Sequence, residues 1–123
     1  MSPNENPLAA LYERLATPNY PVMISLPVGW TELVLQLDAD LSVILPDYTI
    51  AQVKEKFAGL RYYIDSYGVA NTDPRVELSK ELISEAETVS MRTCQVCGSP
   101  GRYREEVVWQ ATLCDEHAEP ARR

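Results

Sequence analysis

The chain contains Cys94-Gln95-Val96-Cys97 and, after sixteen further residues, Cys114-Asp115-Glu116-His117, and these two runs decide its fold. They hold all three cysteines and the only histidine of the 123 residues. Thiolate sulfur and imidazole nitrogen are the usual ligands of tetrahedral zinc, and a two-residue spacer lets each pair bind one ion from a single turn of backbone. The pattern predicts a Cys3His zinc site made by Cys94, Cys97, Cys114 and His117.

The predicted zinc ion is interpreted as structural, because four protein ligands fill its shell whereas catalytic zinc keeps one position for water. A disulfide is the weaker interpretation, since three cysteines leave one unpaired and Met1-Ser2-Pro3-Asn4-Glu5 lacks the basic and apolar runs of a secretory signal. A chance cluster of cysteines is weaker still. We therefore expect one structural Zn²⁺ in a reduced, cytoplasmic protein.

Charge and composition divide the chain into three predicted parts. The net charge is −7, and it falls as −1 on residues 1–28, −6 on residues 29–90 and zero on residues 91–123. The apolar content of 46% is that of an ordinary globular protein, and no apolar run has the ~20 residues of a membrane span. These segments are interpreted as an N-terminal helical arm, an α+β body and a zinc-binding module.

Three helices are predicted from capping residues and apolar spacing. The first starts at Asn6-Pro7 and ends before Pro18 and Pro21. The second runs from Thr31 until Pro46, with Trp30 as a core or staple residue and with Glu32, Asp38 and Asp40 facing solvent. The third runs from Asp73-Pro74 to about Ser90, and its predicted inner face is Leu78, Leu82, Ala86 and Val89.

Residues 48–67 are compatible with two structures. Ile50, Val53, Phe57, Leu60 and Ile64 follow helical spacing. The same residues fit two strands around a turn at Ala58-Gly59, and the aromatic and β-branched side chains of the second strand favour this hairpin.

The run Gln52-Val53-Lys54-Glu55-Lys56-Phe57-Ala58-Gly59-Leu60-Arg61-Tyr62-Tyr63, followed by Cys94-x-x-Cys97-Gly98 and Cys114-x-x-His117, carries a resemblance. It resembles a family of small uncharacterised proteins of bacteria and bacteriophages that have a KEKFGGLRFY-like run upstream of a zinc module and an opening like Gly29-Trp30. Paired glycines in those relatives suit a hairpin turn, whereas Ala58 departs from that pattern. The resemblance favours the hairpin and implies no activity.

The zinc module is predicted to contain a knuckle at Gly98, strands over residues 102–106 and 107–112, and a short helix opened by Cys114. That order resembles a treble clef. The predicted fold is therefore α+β: a small helix and hairpin body with a C-terminal Cys3His zinc knuckle that is treble-clef-like. A treble-clef nuclease is disfavoured, because it needs a further histidine. A ubiquitin ligase is disfavoured, because it needs a second zinc site.

No free histidine, free cysteine or glycine-rich phosphate loop remains for catalysis, so a non-enzyme is expected. Because the resemblance implies a phage or mobile-element origin, the leading hypothesis is a protein that binds and modulates or inhibits a bacterial host or defence protein complex, through an acidic, DNA-mimicking surface. Its candidate contact residues are Glu77, Glu81, Glu85, Lys54, Lys56, Arg61 and Tyr63. The alternative is a nucleic-acid-binding regulator that also uses Arg102, Arg104, Arg122, Arg123, Tyr62, Tyr103 and Trp109, although the overall negative charge opposes it.

Overall fold

The computed structural model describes residues 7–15, 24–66 and 68–122. The fold is mixed α+β, with the Cys3His cluster near the C-terminus, as predicted. The elements in chain order are α1 (Ala9–Tyr12), β1 (Ile24–Ser25), a 3₁₀ turn (Val28–Trp30), α2 (Thr31–Ile44), β2 (Thr49–Lys56), β3 (Gly59–Asp65), α3 (Pro74–Ser90), β4 (Arg102–Arg104), β5 (Ala111–Leu113) and α4 (Asp115–Ala118).

Two sheets and two hydrophobic cores organise these elements. The larger sheet has the order β1-β2-β3, with β1 parallel and β3 antiparallel to β2, and α2 and α3 pack together beside it. The smaller sheet pairs β4 with β5 in the C-terminal segment. The main core includes Leu11, Trp30, Val34, Leu41, Ile50, Val53, Leu60 and Tyr62, and the smaller core consists of Cys94, Val107, Leu113 and Ala118.

Residues 49–65 form the hairpin. Its two-residue turn is Phe57-Ala58, one residue earlier than predicted, and Lys56 pairs with Gly59 across it. Phe57 and Ala58 have φ values of 53° and 65°, the left-handed conformation typical of a type I′ turn. The Ala58 N–H donates to the Glu55 carboxylate at 2.8 Å, and this bond holds the turn without a glycine in it.

The turn predicts a stabilising substitution. Phe57 is 77% exposed and lies in a conformation that costs an L-residue about 1–2 kcal/mol, whereas asparagine adopts it readily. Phe57→Asn loses a contact with the Lys56 ammonium that is worth about 0.5–1 kcal/mol at an exposed site. We expect a net gain of about 0.5 kcal/mol in the free energy of unfolding, measured by urea denaturation. Phe57→Val is the control and should destabilise, because β-branched residues avoid positive φ.

The second helix occupies the predicted residues, but the prediction for Asp38 was wrong. Asp38 is 9% exposed and faces the core. Its carboxylate accepts a hydrogen bond from Arg14 Nε at 2.6 Å and another from the Tyr48 hydroxyl, which also contacts the Tyr62 hydroxyl at 2.8 Å. Burial raises the pKa of both tyrosines, so both hydroxyls stay protonated and available as donors. The network joins the α1 end of the chain to α2 and the hairpin.

The third helix begins and ends as predicted, with the Asp73 carboxylate accepting the Arg75 N–H at 2.8 Å. Its inner face was predicted wrongly in part, because Leu78 is 43% exposed while Val76 and Ser79 are buried. The Ser79 hydroxyl donates to the Val76 carbonyl within the helix, and a serine satisfied in this way is buried at little cost. The buried stripe is therefore Val76, Ser79, Ala86 and Ser90.

Several predicted features lie outside the described residues: the helix start at Asn6, its end at Pro18 and Pro21, and the basic residue Arg123. Within the described ranges, none of the helices has both the length and the apolar character that crossing a membrane requires.

Candidate metal centre

Two backbone turns present the four candidate ligands. In the first, the Gly98 N–H returns to the Cys94 carbonyl at 2.9 Å, and Gly98 has the positive φ of 81° that the sequence predicted for it. In the second, Cys114 precedes α4 and His117 lies within it, so the two side chains are separated by one helical turn. Local backbone hydrogen bonds thus place both pairs of candidate ligands, Cys94 with Cys97 and Cys114 with His117.

The ligand atoms have the separations of a tetrahedral site. Cys97 Sγ lies 3.8 Å from Cys114 Sγ, and His117 Nδ1 lies 3.7 Å from Cys94 Sγ and 3.2 Å from Cys114 Sγ. All four ligand atoms are within 4.8 Å of one another. Zinc–sulfur bonds of about 2.3 Å in a tetrahedron place two sulfurs about 3.8 Å apart. The cluster is therefore compatible with zinc, with Nδ1 as the imidazole ligand.

The thiols of the cluster differ in their pKa values. Burial raises the pKa of the Cys94 thiol, but the N–H groups of Cys114, Cys97 and Val96 outweigh burial and lower that pKa to about 6. For Cys114, the His117 N–H lowers the pKa, while burial and the two neighbouring sulfurs raise it by more. The hydrogen bond to Cys94 raises the pKa of His117. A cation at the centre would offset the repulsion between the sulfurs and let all three ionise.

These directions predict how metal affinity depends on pH. Cys114 and His117 hold their protons more tightly than usual, so both compete with a metal, and Cys94 also takes a proton below about pH 6. Zinc affinity should therefore fall by at least about tenfold per pH unit from about pH 7.5 to about pH 5.5, the slope for one proton exchanged per ion. Competition with a chromophoric chelator measures it. Equal affinity at the two ends of this range would contradict the ligand assignment.

The first ligand turn docks on the body through backbone contacts. The Gly29 N–H donates to the Gln95 carbonyl at 2.8 Å, and the indole N–H of the fully buried Trp30 donates to the Thr93 carbonyl at 2.9 Å. A Cβ atom on Gly29 would lie 2.1 Å from the Cys94 carbonyl oxygen, so only glycine permits this approach. Trp30 therefore acts as a core residue that also fixes the ligand turn.

The hairpin turn is hydrogen-bonded to β5, the strand that precedes the ligand Cys114. The buried Thr112 hydroxyl donates to the Ala58 carbonyl at 2.8 Å, and Thr112 also exchanges hydrogen bonds with Gln95. Gly29-Trp30 and the hairpin turn thus each bond the C-terminal segment, the former at Thr93 and Gln95 and the latter at Thr112.

Two residues that the nucleic-acid hypothesis needs at the surface, Arg104 and Tyr62, are buried. Arg104 is 2% exposed, donates to the Leu113 carbonyl at 3.0 Å and forms a 2.7 Å ion pair with Asp115. Tyr62 is 2% exposed and belongs to the buried network of Asp38. Both are structural residues, because neither presents its side chain to a nucleic acid.

The other predicted contact residues lie at the surface in two sets. Glu77, Glu81 and Glu85 are exposed on α3, and within the described parts of the chain none of them forms a salt bridge. Lys54 pairs directly with Arg61 on the hairpin, whose other face carries the buried Val53 and Tyr62. The outer hairpin face also carries the remaining predicted residues, Lys56 and the 46% exposed Tyr63.

Neither protein-family models, curated proteins nor solved structures match this chain.

Proposed function

We propose that the chain is a non-catalytic protein-interaction module, held together by one structural zinc ion, that binds and inhibits a basic protein or complex of a bacterial host or its defence system. A phage or mobile-element origin belongs to this proposal through the family resemblance. The observation that carries it is the exposed row of Glu77, Glu81 and Glu85 on α3, three carboxylates at four-residue intervals with no salt bridge within the described residues.

The zinc assignment rests on the chemistry of the donors. Three thiolates and one imidazole suit zinc far better than calcium or magnesium, which prefer oxygen ligands. Four protein ligands leave no position for a reacting water. The sequence has no histidine or cysteine beyond these four to act as a base or nucleophile, so the proposal assigns the ion a structural role.

The acidic row supports binding of a basic partner. Like charges four residues apart oppose helix formation by about 0.2–0.5 kcal/mol per pair, so α3 depends on its buried stripe to keep these carboxylates together. A partner rich in Lys and Arg would relieve this repulsion, and nucleic-acid-binding proteins carry such surfaces. The row would then occupy the partner's site for DNA.

A nucleic-acid-binding function is the alternative, and the pairing of Lys54 with Arg61 favours it. Like charges directly opposite on neighbouring strands destabilise a sheet, and a phosphate would offset that cost. Tyr63 on the same face offers a stacking surface. The burial of Arg104 and Tyr62 and the net charge of −7 weigh against it.

Two charge-neutralised variants separate these functions. One replaces Glu77, Glu81 and Glu85 by glutamine, and the matched control replaces Lys54, Lys56 and Arg61 by glutamine. Tagged, zinc-loaded protein is incubated with bacterial lysate, with and without nuclease treatment, and the retained material is identified by mass spectrometry and by nucleic-acid staining. We expect one stoichiometric partner that is retained by the control and weakened at least about tenfold by the acidic-row variant. Retained material that disappears on nuclease treatment, or with the control variant alone, would support the nucleic-acid alternative.

A further inference from the structure

A groove of about 630 Å³ runs between β3 and α3. Residues 62–66, which are the last four residues of β3 and the residue after it, form one wall. The α3 wall is apolar at Val76 and Ile83 and polar at Ser84 and Glu87. Consecutive strand residues expose their peptide N–H and carbonyl groups as well as their side chains. A ligand in this groove must therefore form hydrogen bonds with those peptide groups.

The first half of the β3 edge is already covered by α3. The Leu60 N–H donates to the Ser90 hydroxyl at 2.9 Å, and the Tyr62 N–H donates to the Glu87 carboxylate at 3.2 Å. Side chains of the helix therefore replace the missing neighbouring strand at these two positions. This is one way in which proteins protect a sheet edge from unwanted pairing.

The next outward position, Ile64, is different. Its cross-strand partner Ile50 donates its N–H to the Arg14 carbonyl at 2.7 Å, on the side of β2 away from β3. Ile50 and Ile64 therefore form a non-hydrogen-bonded pair, and the peptide groups of Ile64 point away from β2 into the groove. No acceptor for the Ile64 N–H is found in residues 7–15, 24–66 and 68–122.

We propose that this groove binds an extended peptide of a protein partner, which pairs with β3 at Ile64 as a fourth strand and carries at least one basic side chain. Strand addition of this kind uses backbone hydrogen bonds for affinity and pockets for alternate side chains for specificity. Here Val76 and Ile83 provide the apolar pocket. The inference deepens the proposed function and rests on it, because it names the class of partner segment.

The charges around the groove favour a basic peptide as its ligand. The charged residues that line the groove are Asp65, Glu87 and Lys80, two acidic and one basic. The adjoining α3 surface adds the acidic row, so the groove favours a basic segment. A second copy of this chain is disfavoured by its net charge of −7, which repels another copy of itself.

The test uses a displayed library of random ten-residue peptides, selected on the full zinc-loaded chain. The most enriched peptide is synthesised, and its Kd is measured by fluorescence anisotropy. Ser84→Lys fills the groove from the helix wall, and Thr88→Lys is the matched control, since Thr88 is exposed one turn further along α3 and does not line the groove. Ile64→Pro removes the outward N–H, which the β2 ladder does not use.

We expect enriched peptides that alternate apolar with polar residues and contain Lys or Arg. Their Kd should weaken at least about tenfold in Ser84→Lys and Ile64→Pro and change less than about twofold in Thr88→Lys. Hydrogen exchange at the Ile64 amide should slow when the peptide binds. The proposal is overturned if no peptide is enriched, if Ser84→Lys binds as tightly as the unmodified chain, or if sedimentation finds a dimer of the chain that Ser84→Lys dissociates.

The lysate experiment keeps this inference separate from the proposed function. If the partner is lost by the variant of the acidic row but kept by Ser84→Lys, the groove inference fails and the proposed function stands. If the partner is kept by the variant of the acidic row but lost by Ser84→Lys, the groove stands and the role of the acidic row fails.

Discussion

Replacing Cys94 or Cys114 by serine is expected to release the metal and unfold residues 92–123. Through residue 122, the buried apolar residues of this segment's small core are Cys94, Val107, Leu113 and Ala118, too few to stabilise a fold without a metal or another cross-link. Structural zinc contributes about 10–16 kcal/mol of apparent binding free energy in finger peptides, and a lost ligand removes most of it. Metal analysis and hydrogen exchange measure the two effects.

The body should survive this loss in part. All buried members of the main core lie between Leu11 and Ala86, so none comes from the zinc-binding segment. We expect the amides of β2 and β3 to remain protected in Cys94→Ser while those of β4 and β5 exchange freely. Val96→Ser is the control, because Val96 is half exposed and lies between two ligands without being one. A cysteine variant that keeps one equivalent of zinc and an unchanged Tm would refute the four-ligand assignment.

Gly29→Ala is expected to have the second largest effect, although Gly29 binds no metal. Its new methyl group would overlap the Cys94 carbonyl oxygen at 2.1 Å and the Gln95 carbonyl carbon at 2.7 Å, both of them backbone atoms that side-chain rotation cannot move. The ligand turn must then leave the body and lose the hydrogen bond from Gly29 to Gln95. Overpacking of this kind costs about 1–3 kcal/mol or more, and we expect the upper end.

Gly59→Ala is the matched control for that substitution. A Cβ atom on Gly59 would meet the flexible side chains of Arg61 and Met91 at 3.4 and 3.5 Å and the Lys56 carbonyl oxygen at an ordinary contact distance of 3.8 Å, and Gly59 has no positive φ. Thermal unfolding of the zinc-loaded proteins should show a lower Tm for Gly29→Ala than for Gly59→Ala. Equal Tm values would mean that the ligand turn is not docked on Gly29 in solution.

The sequence predicted the parts of this protein that depend on chemically distinctive residues. Cysteine and histidine have few structural substitutes as metal ligands, so their spacing alone indicated which four residues come together. The start of the third helix followed from Asp73-Pro74, a capping residue and a proline that suits the first helical position. Gly98 was expected to have a positive φ because a tight turn around a metal requires one.

Other features depend on tertiary contacts that periodicity does not encode. Asp38 looked solvent-facing because an acidic residue on a helix usually is, and its partners Arg14 and Tyr48 are distant or in another element. Its position between the buried Leu37 and Leu41 was the available signal. Ser79 is buried in place of Leu78 at the start of α3, since a serine bonded within its own helix packs as a small apolar residue does, while Ala86 is buried as predicted.

The helix and hairpin interpretations of residues 48–67 could not be separated by apolar spacing, because buried residues of two paired strands happen to fall at helical intervals. The decision is made by one local bond and two long-range ones: Glu55 bonds the turn from three residues away, Thr112 bonds it from the C-terminal segment, and Arg14 bonds Ile50 at the far end of β2. The resemblance identified the correct alternative, while Phe57 and Ala58 adopt the turn without the expected glycine pair.

The central claim is that Cys94, Cys97, Cys114 and His117 hold one structural zinc ion. X-ray absorption at the zinc edge of the purified chain tests it most directly. We expect one zinc per chain with three sulfur neighbours at about 2.3 Å and one nitrogen at about 2.0 Å, and no oxygen ligand. A spectrum with a bound water or fewer than three sulfurs, or a reduced chain that binds no zinc, would contradict it.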